Sequence, residues 1–275
     1  MKIILNKKDV NDFRIWFTRY VYTFKTDYPE LLQNIDLKEG HTKRVVKEII
    51  KIGEQLGLNE EEMNVAETVA LFHDIGRFEQ YARYGTFSDN LSVDHADLGI
   101  QILEQNHIFE NTDQYTKELI FCTIRAHNKP FLPVNESDQC LYYTKILRDA
   151  DKLDIWRMVT GYYNNKNGKR NDTLTLNLPD TPGFSDEVYN DLLNESIVNI
   201  KNVRNLNDLK LLQLGWIFDV NFRPTADYIK KHRFLEKIRD VLPASKEISE
   251  IFELITSYRN EMYEDESHVK LPPAP

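Results

Sequence analysis

Along most of this chain, apolar residues recur every three or four positions, the spacing of a helix with one buried face. In "NDFRIWFTRYVYTF", Phe13, Trp16, Phe17, Tyr20 and Phe24 share a face. An aromatic stripe of this kind reads as core packing ahead of a cofactor pocket. A second helix is predicted from near Gly40 to Leu56, with Val45, Val46, Ile49, Ile50 and Ile52 apolar and Gly57 as its stop. A third covers "NEEEMNVAETVALFHD", with acids in its first turn, where the helix dipole favours them, and Gly76 just past its end. Ser92 or Asp94 is placed to cap "DHADLGIQILEQN". Then "DQYTKELIFCTIRAHNKP" reads as a helix closed by Pro130, and "DQCLYYTKILRDADKLDIWRMVTGYY" as another.

Residues 164–186 depart from this period. The alternation Thr173, Leu174, Thr175, Leu176 suggests a short strand or β-hairpin within a long excursion near 170–180. A surface loop or subunit contact is the preferred use of that excursion, with a lid as the rival. Helical spacing resumes at Ser185, and "DESHVKLPPAP" reads as a loose tail. The expected fold is all-α: a single helical domain over 1–275, with a core at about 37–160 and a helical extension at 185–265.

Composition narrows the function more than the fold. The 275 residues carry a net charge of −9, which repels a long phosphate backbone and argues against dedicated nucleic-acid binding. A small phosphorylated substrate stays open, because a bound metal reverses the field locally. Two cysteines, Cys122 and Cys140, are too few for a disulfide framework and suit a reducing compartment. The opening "MKIILNKKDV" is too briefly apolar for a signal peptide, and no apolar run approaches the ~20 residues that span a bilayer. A soluble, cytoplasmic protein with no membrane partner is expected; a homo-oligomer is compatible with everything above.

Seven histidines are present. His232 and His268 sit in charged or tail segments, and His107 follows a helix end. The other four are placed differently. His41 opens a helix beneath an apolar run. His73 lies one turn after Val69, on the face of Ala66 and Ala70. His127 lies one turn after Thr123, and His95 starts a helix beside Asp94 and Asp97. One such histidine is more often a hydrogen-bonded core residue. Four on four helices, with carboxylates close by, need shared compensation that a divalent cation gives. Imidazole and carboxylate without thiolate suit Fe, Mn, Zn or Ni better than a structural zinc site. The adjacent pair His73 and Asp74 diverges by ~100° on a helix. Either Gly76 lets the chain turn away so that both reach one ion, or Asp74 shares its two oxygens between two ions.

These residues resemble the HD superfamily of metal-dependent phosphohydrolases, in which a histidine, a His-Asp doublet and a later aspartate form the signature. Here they are His41, His73 with Asp74, and "RDADKLD", where Asp151 is chosen because it precedes Lys152 and Leu153 and stacks one turn after Leu147. The likeness covers about residues 37–160. "HDIGRFEQ", "YGTFSDNLSVDHADLG", "RAHNKP" and "DADKLD" together resemble a bacterial branch of that superfamily. It implies one or two divalent ions (Mn, Fe, Ni, Zn or Mg). Members with two metals use two further histidines, and His95 and His127 suit that role. The implied metal set is His41, His73, Asp74, His95, His127 and Asp151.

The resemblance further implies hydrolysis of a phosphate ester or anhydride of a small molecule, a nucleotide or related phosphate. Asp74, His95 and Arg77 would be catalytic, His95 either as ligand or as an acid near the leaving group. Arg77, Lys152, Arg125 and Lys129 would face phosphate oxygens, an ion pair with an acid such as Glu79 being the rival use of Arg77. Two other readings stand beside this one: an HD-fold di-iron oxygenase and a non-catalytic nucleotide-sensing module.

Overall fold

The computed structural model describes residues 5–165 and 171–261. Its helices are α1 (Lys7–Asp27), α2 (Leu32–Leu56), α3 (Glu60–Phe72), α4 (Gly76–Tyr84), α5 (His95–Gln105), α6 (Gln114–His127), α7 (Asp138–Asn164), α8 (Asp172–Thr175), α9 (Asp186–Leu193), α10 (Leu206–Gly215), α11 (Arg223–His232), α12 (Phe234–Arg239) and α13 (Lys246–Glu261). No strand occurs among the described residues, and the chain is all-α as its periodicity requires. No described helix is long and apolar enough to cross a membrane.

The described chain divides into two compact units, one of residues 5–151 and one of 152–261, with the division falling inside the span of α7. The reading of 1–275 as one domain placed no boundary there, since a continuous helix carries no linker composition.

In the first unit, α3 is the central helix and packs against α1, α2 and α6. Every residue from Asn64 to Phe72 is buried, so α3 is enclosed on all sides. Full burial of each Val or Phe of this helix contributes about 1.5–3 kcal/mol. Its start is fixed by a capping box, Asn59 accepting from Glu62 N while Glu62 returns a bond to Asn59 N. The aromatic stripe of α1 is core packing: Phe13, Phe17 and Phe24 are buried, and Phe13 meets Phe72 edge-on with ring centroids 5.6 Å apart. Asp94 caps α5, accepting from Ala96 N at 2.9 Å.

The second unit holds the last residues of α7 with α8 to α13. Trp156 is fully buried and donates its indole N–H to Gln213 O at 2.8 Å. Buried Asp208 accepts from Ser185 N, Ser185 Oγ and Arg204 N, fixing the entry to α9.

Four expectations change. The second helix begins at Leu32, eight residues before Gly40, so His41 lies inside a helix and does not open one. The hairpin expected at 173–176 is instead the helical turn α8. Asn171 Oδ1 accepts from Thr173 N and Leu174 N there, an N-cap, and Leu176 and Asn177 then take positive φ, which breaks any extended ladder. Third, Cys122 and Cys140 are disulfide-bonded, tying α6 to α7 with Cα atoms 6.1 Å apart, so the cysteines lend no support to a reducing compartment. Finally, Gly76 is the first residue of α4, directly after the turn at 73–75, and serves a close helix approach. The tail and His268 lie outside the described residues.

Candidate metal centre

Four helices of the first unit, together with the turn between α3 and α4, carry the six side chains nominated as ligands. His41 comes from the middle of α2, His73 and Asp74 from the turn after α3, His95 from the first residue of α5, His127 from the last of α6 and Asp151 from α7. The four histidines and Asp74 are all buried, none more than 8% exposed. The six converge. His41 Nε2 lies 3.6 Å and His73 Nε2 3.5 Å from Asp74 Oδ2, while His95 Nε2 lies 3.3 Å from Asp74 Oδ1. His127 Nε2 is 3.1 Å from His95 Nε2, and Asp151 Oδ1 is 3.0 Å from His41 Nε2.

Two groups of ligand atoms result, His41–His73–Asp74 and Asp74–His95–His127, each compact enough for one cation. Asp74 belongs to both and turns one oxygen to each. Of the two explanations for the adjacent His-Asp pair, this is the geometry of the shared carboxylate.

Three of the imidazoles are held from behind. His73 Nδ1 meets Ala70 O at 2.8 Å, His127 Nδ1 meets Ile124 O at 2.6 Å and His95 Nδ1 meets Asp89 Oδ2 at 2.7 Å. An acceptor at Nδ1 keeps the proton there and leaves the Nε2 lone pair facing inward, the tautomer a metal needs. One inward atom, His73 Nε2, is buried yet makes no hydrogen bond. A buried polar atom without a partner is costly, and this one belongs to the ligand set. These residues therefore fit a divalent cation.

The electrostatics agree. Burial pushes the His73 imidazole below its ordinary value, and it pushes His95 down together with the charge of Arg77. Burial, reinforced by His95 and His73, pushes His127 down to about 3. Burial opposes ionisation of Asp74, but Lys38 and Arg77 hold its carboxyl well below the usual range. Burial likewise opposes ionisation of Asp151, and its neighbour His41 holds it low. Near neutral pH His73, His95 and His127 are thus neutral and Asp74 and Asp151 ionised, the protonation states that bind cations.

The nominated phosphate-binding cations are not brought to this centre in the same way. Arg77 is close, but it donates to Asp74 Oδ1 (3.4 Å), Gln80 Oε1 (2.9 Å), Asp89 Oδ1 (2.7 Å) and Phe87 O. Lys129 pairs with Asp94 at 2.6 Å, and Arg125, half exposed, pairs with Asp97 at 3.2 Å. Lys152 is buried against Asp219 in the second unit.

Sequence reasoning passed over three residues. Asp89 accepts from Arg77, Gln80 and Asn128 as well as facing His95, and is the hub behind the second ligand group. Gln80, fully buried, carries Oε1 to Arg77 and Nε2 to Asp89, Ser92 and Val93. Lys38 places Nζ 2.7 Å from Asp74 Oδ2. Its signal was present, because Lys38 lies one helical turn before His41 and so shares its face. Asp89 lies in a 3-10 turn without periodicity and gave none.

The fold and site define a helical domain in which one aspartate belongs to two buried clusters that could hold a metal ion. Residues 39–156 match the HD domain family. Comparison with curated proteins and with solved structures gave no match.

Proposed function

We propose that this protein is a metal-dependent phosphohydrolase that cleaves a phosphate ester or anhydride of a small molecule, a nucleotide or related phosphate. The observation that carries the reading is Asp74, whose two oxygens face two separate imidazole groups. Bound there, divalent cations supply Lewis acidity and offset the negative charge of a phosphoryl group.

The protein's own residues do the rest. His41, His73 and Asp151 hold one side, His95 and His127 the other. Asp89 orients His95. Arg77, with its four protein acceptors, positions Asp74 and Asp89, which narrows its catalytic role from gripping substrate to keeping both carboxylates ionised and in place. The apolar packing of α3 behind His73 gives the site a rigid wall.

The test is a screen of nucleotides and sugar phosphates with the Mn²⁺-loaded protein, reading phosphate release and oxygen uptake together. Phosphate release without oxygen uptake, lost in Asp74→Asn, is the expected result. Oxygen uptake with reduced iron would replace this reading with a di-iron oxygenase. Nucleotide binding with no turnover across the panel would make the protein a sensing module.

A further inference from the structure

Lys38 sits where a cation is wanted. Its ammonium touches Asp74 Oδ2, the same oxygen that faces His41 Nε2 and His73 Nε2. The side chain is 17% exposed, so it reaches this oxygen from the solvent side. Its placement is built. Nζ lies 5.5 Å from the centre of the Phe87 ring, whose other partner is Tyr81, stacked at 4.4 Å. Tyr81 is fixed in turn by Asn34, one turn before Lys38 on α2, through a 2.6 Å bond from Nδ2 to the phenol oxygen. The backbone carbonyl of Phe87 also holds Arg77, so one loop residue steadies both cations beside Asp74.

We propose that Lys38 is the residue that binds the substrate's phosphoryl group, its ammonium leaving Asp74 for a phosphoryl oxygen when a divalent ion takes the carboxylate. The inference rests on the phosphohydrolase reading above. Three points support it. Two positive charges repel when they share one carboxylate oxygen, so a divalent ion at Asp74 Oδ2 expels the ammonium. A lysine on a flexible four-carbon stem yields without moving its helix, which a planar guanidinium held by four acceptors cannot do. And of the cations nominated from the sequence, Arg125, Lys129 and Lys152 pair with carboxylates outside the six-residue ligand set, while Arg77 is held by Asp89, Gln80 and Phe87 O besides Asp74.

The experiment compares the full-length wild type with Lys38→Met and Lys38→Arg. Mn²⁺ affinity is measured first, then inorganic phosphate binding to the Mn²⁺-loaded forms by calorimetry. Loss of one charged hydrogen bond is expected to weaken phosphate binding in Lys38→Met by about 10- to 100-fold, with most of the affinity regained in Lys38→Arg. Mn²⁺ affinity is expected to stay level or rise in Lys38→Met, because a competitor for Asp74 is gone. Unchanged phosphate affinity in Lys38→Met would overturn the proposal. So would a loss of Mn²⁺ affinity in that variant, which would make Lys38 a brace for Asp74. A wild type that binds no phosphate also overturns it, while the phosphate-release screen decides separately whether the hydrolase reading stands.

Discussion

Gly76 and Gly99 meet backbone to backbone where α4 crosses α5. A Cβ on Gly76 would stand 2.7 Å from Gly99 N and 2.1 Å from His95 O, distances that side-chain carbons do not tolerate. Both obstacles are main chain, so the helices themselves would have to part. Gly76→Ala is expected to cost about 3 kcal/mol, as overpacking does, and to lower the melting temperature by roughly 6–12 °C. Because Asp74 and His95 flank the contact, Mn²⁺ affinity should fall in the same variant. A melting curve and a metal titration indistinguishable from wild type would show that this crossing does not set the site.

Asp89 stands behind His95 as Asp74 stands before it. Asp89→Asn keeps the shape but removes the charge that fixes the His95 proton on Nδ1. Outer partners of metal-bound histidines are worth about 10- to 100-fold in affinity, and a loss at the lower end of that range is expected. Competition with a fluorescent chelator measures it, and an unchanged constant would remove Asp89 from the centre.

The shared carboxylate predicts an uneven response to ligand removal. Elemental analysis of the wild type should find two ions per chain and His127→Ala close to one. Asp74→Ala should hold fewer than one, since both groups lose an oxygen. Equal metal content in the two variants would contradict a bridging role.

The metal-free protein should lose stability on acidification from near neutrality. Unfolded histidine binds its proton near pH ~6.5, whereas folded His127 does so only near 3. Between those values the unfolded chain takes up a proton that the folded chain refuses, so falling pH favours unfolding. His73 and His95 are displaced the same way. Asp74, Asp89 and Asp151, held below the ordinary carboxylate range, add a further loss below pH ~4. Urea midpoints of chelator-treated protein should thus be level above pH ~6.5 and decline steadily below it. A flat profile down to pH ~4 would refute the buried neutral imidazoles.

The helices of the first unit were legible because their buried faces repeat at the helical period, and α3 and α6 begin and end close to where their caps and stops direct. His73 and His127 were legible from helix faces that also carry Val69 and Ile120, and Asp74 from its place beside His73. The start of α2 was not, since "LLQNIDLKEG" mixes polar and apolar residues and its face is settled only by what packs there. Thr-Leu-Thr-Leu alternates like a strand, yet four residues also make one helical turn, and the Asn171 cap decided between them. The bond between Cys122 and Cys140 joins two helices, and no spacing rule announces such a pair. Asp89 and Lys38 acquire meaning only from the ligands they touch.

A carboxylate divided between two ligand groups leaves neither group independent. Asp74 is common to the cluster of His41 and His73 and to the cluster of His95 and His127, so a change at this one side chain reaches both halves of the candidate centre with no element of the backbone moving.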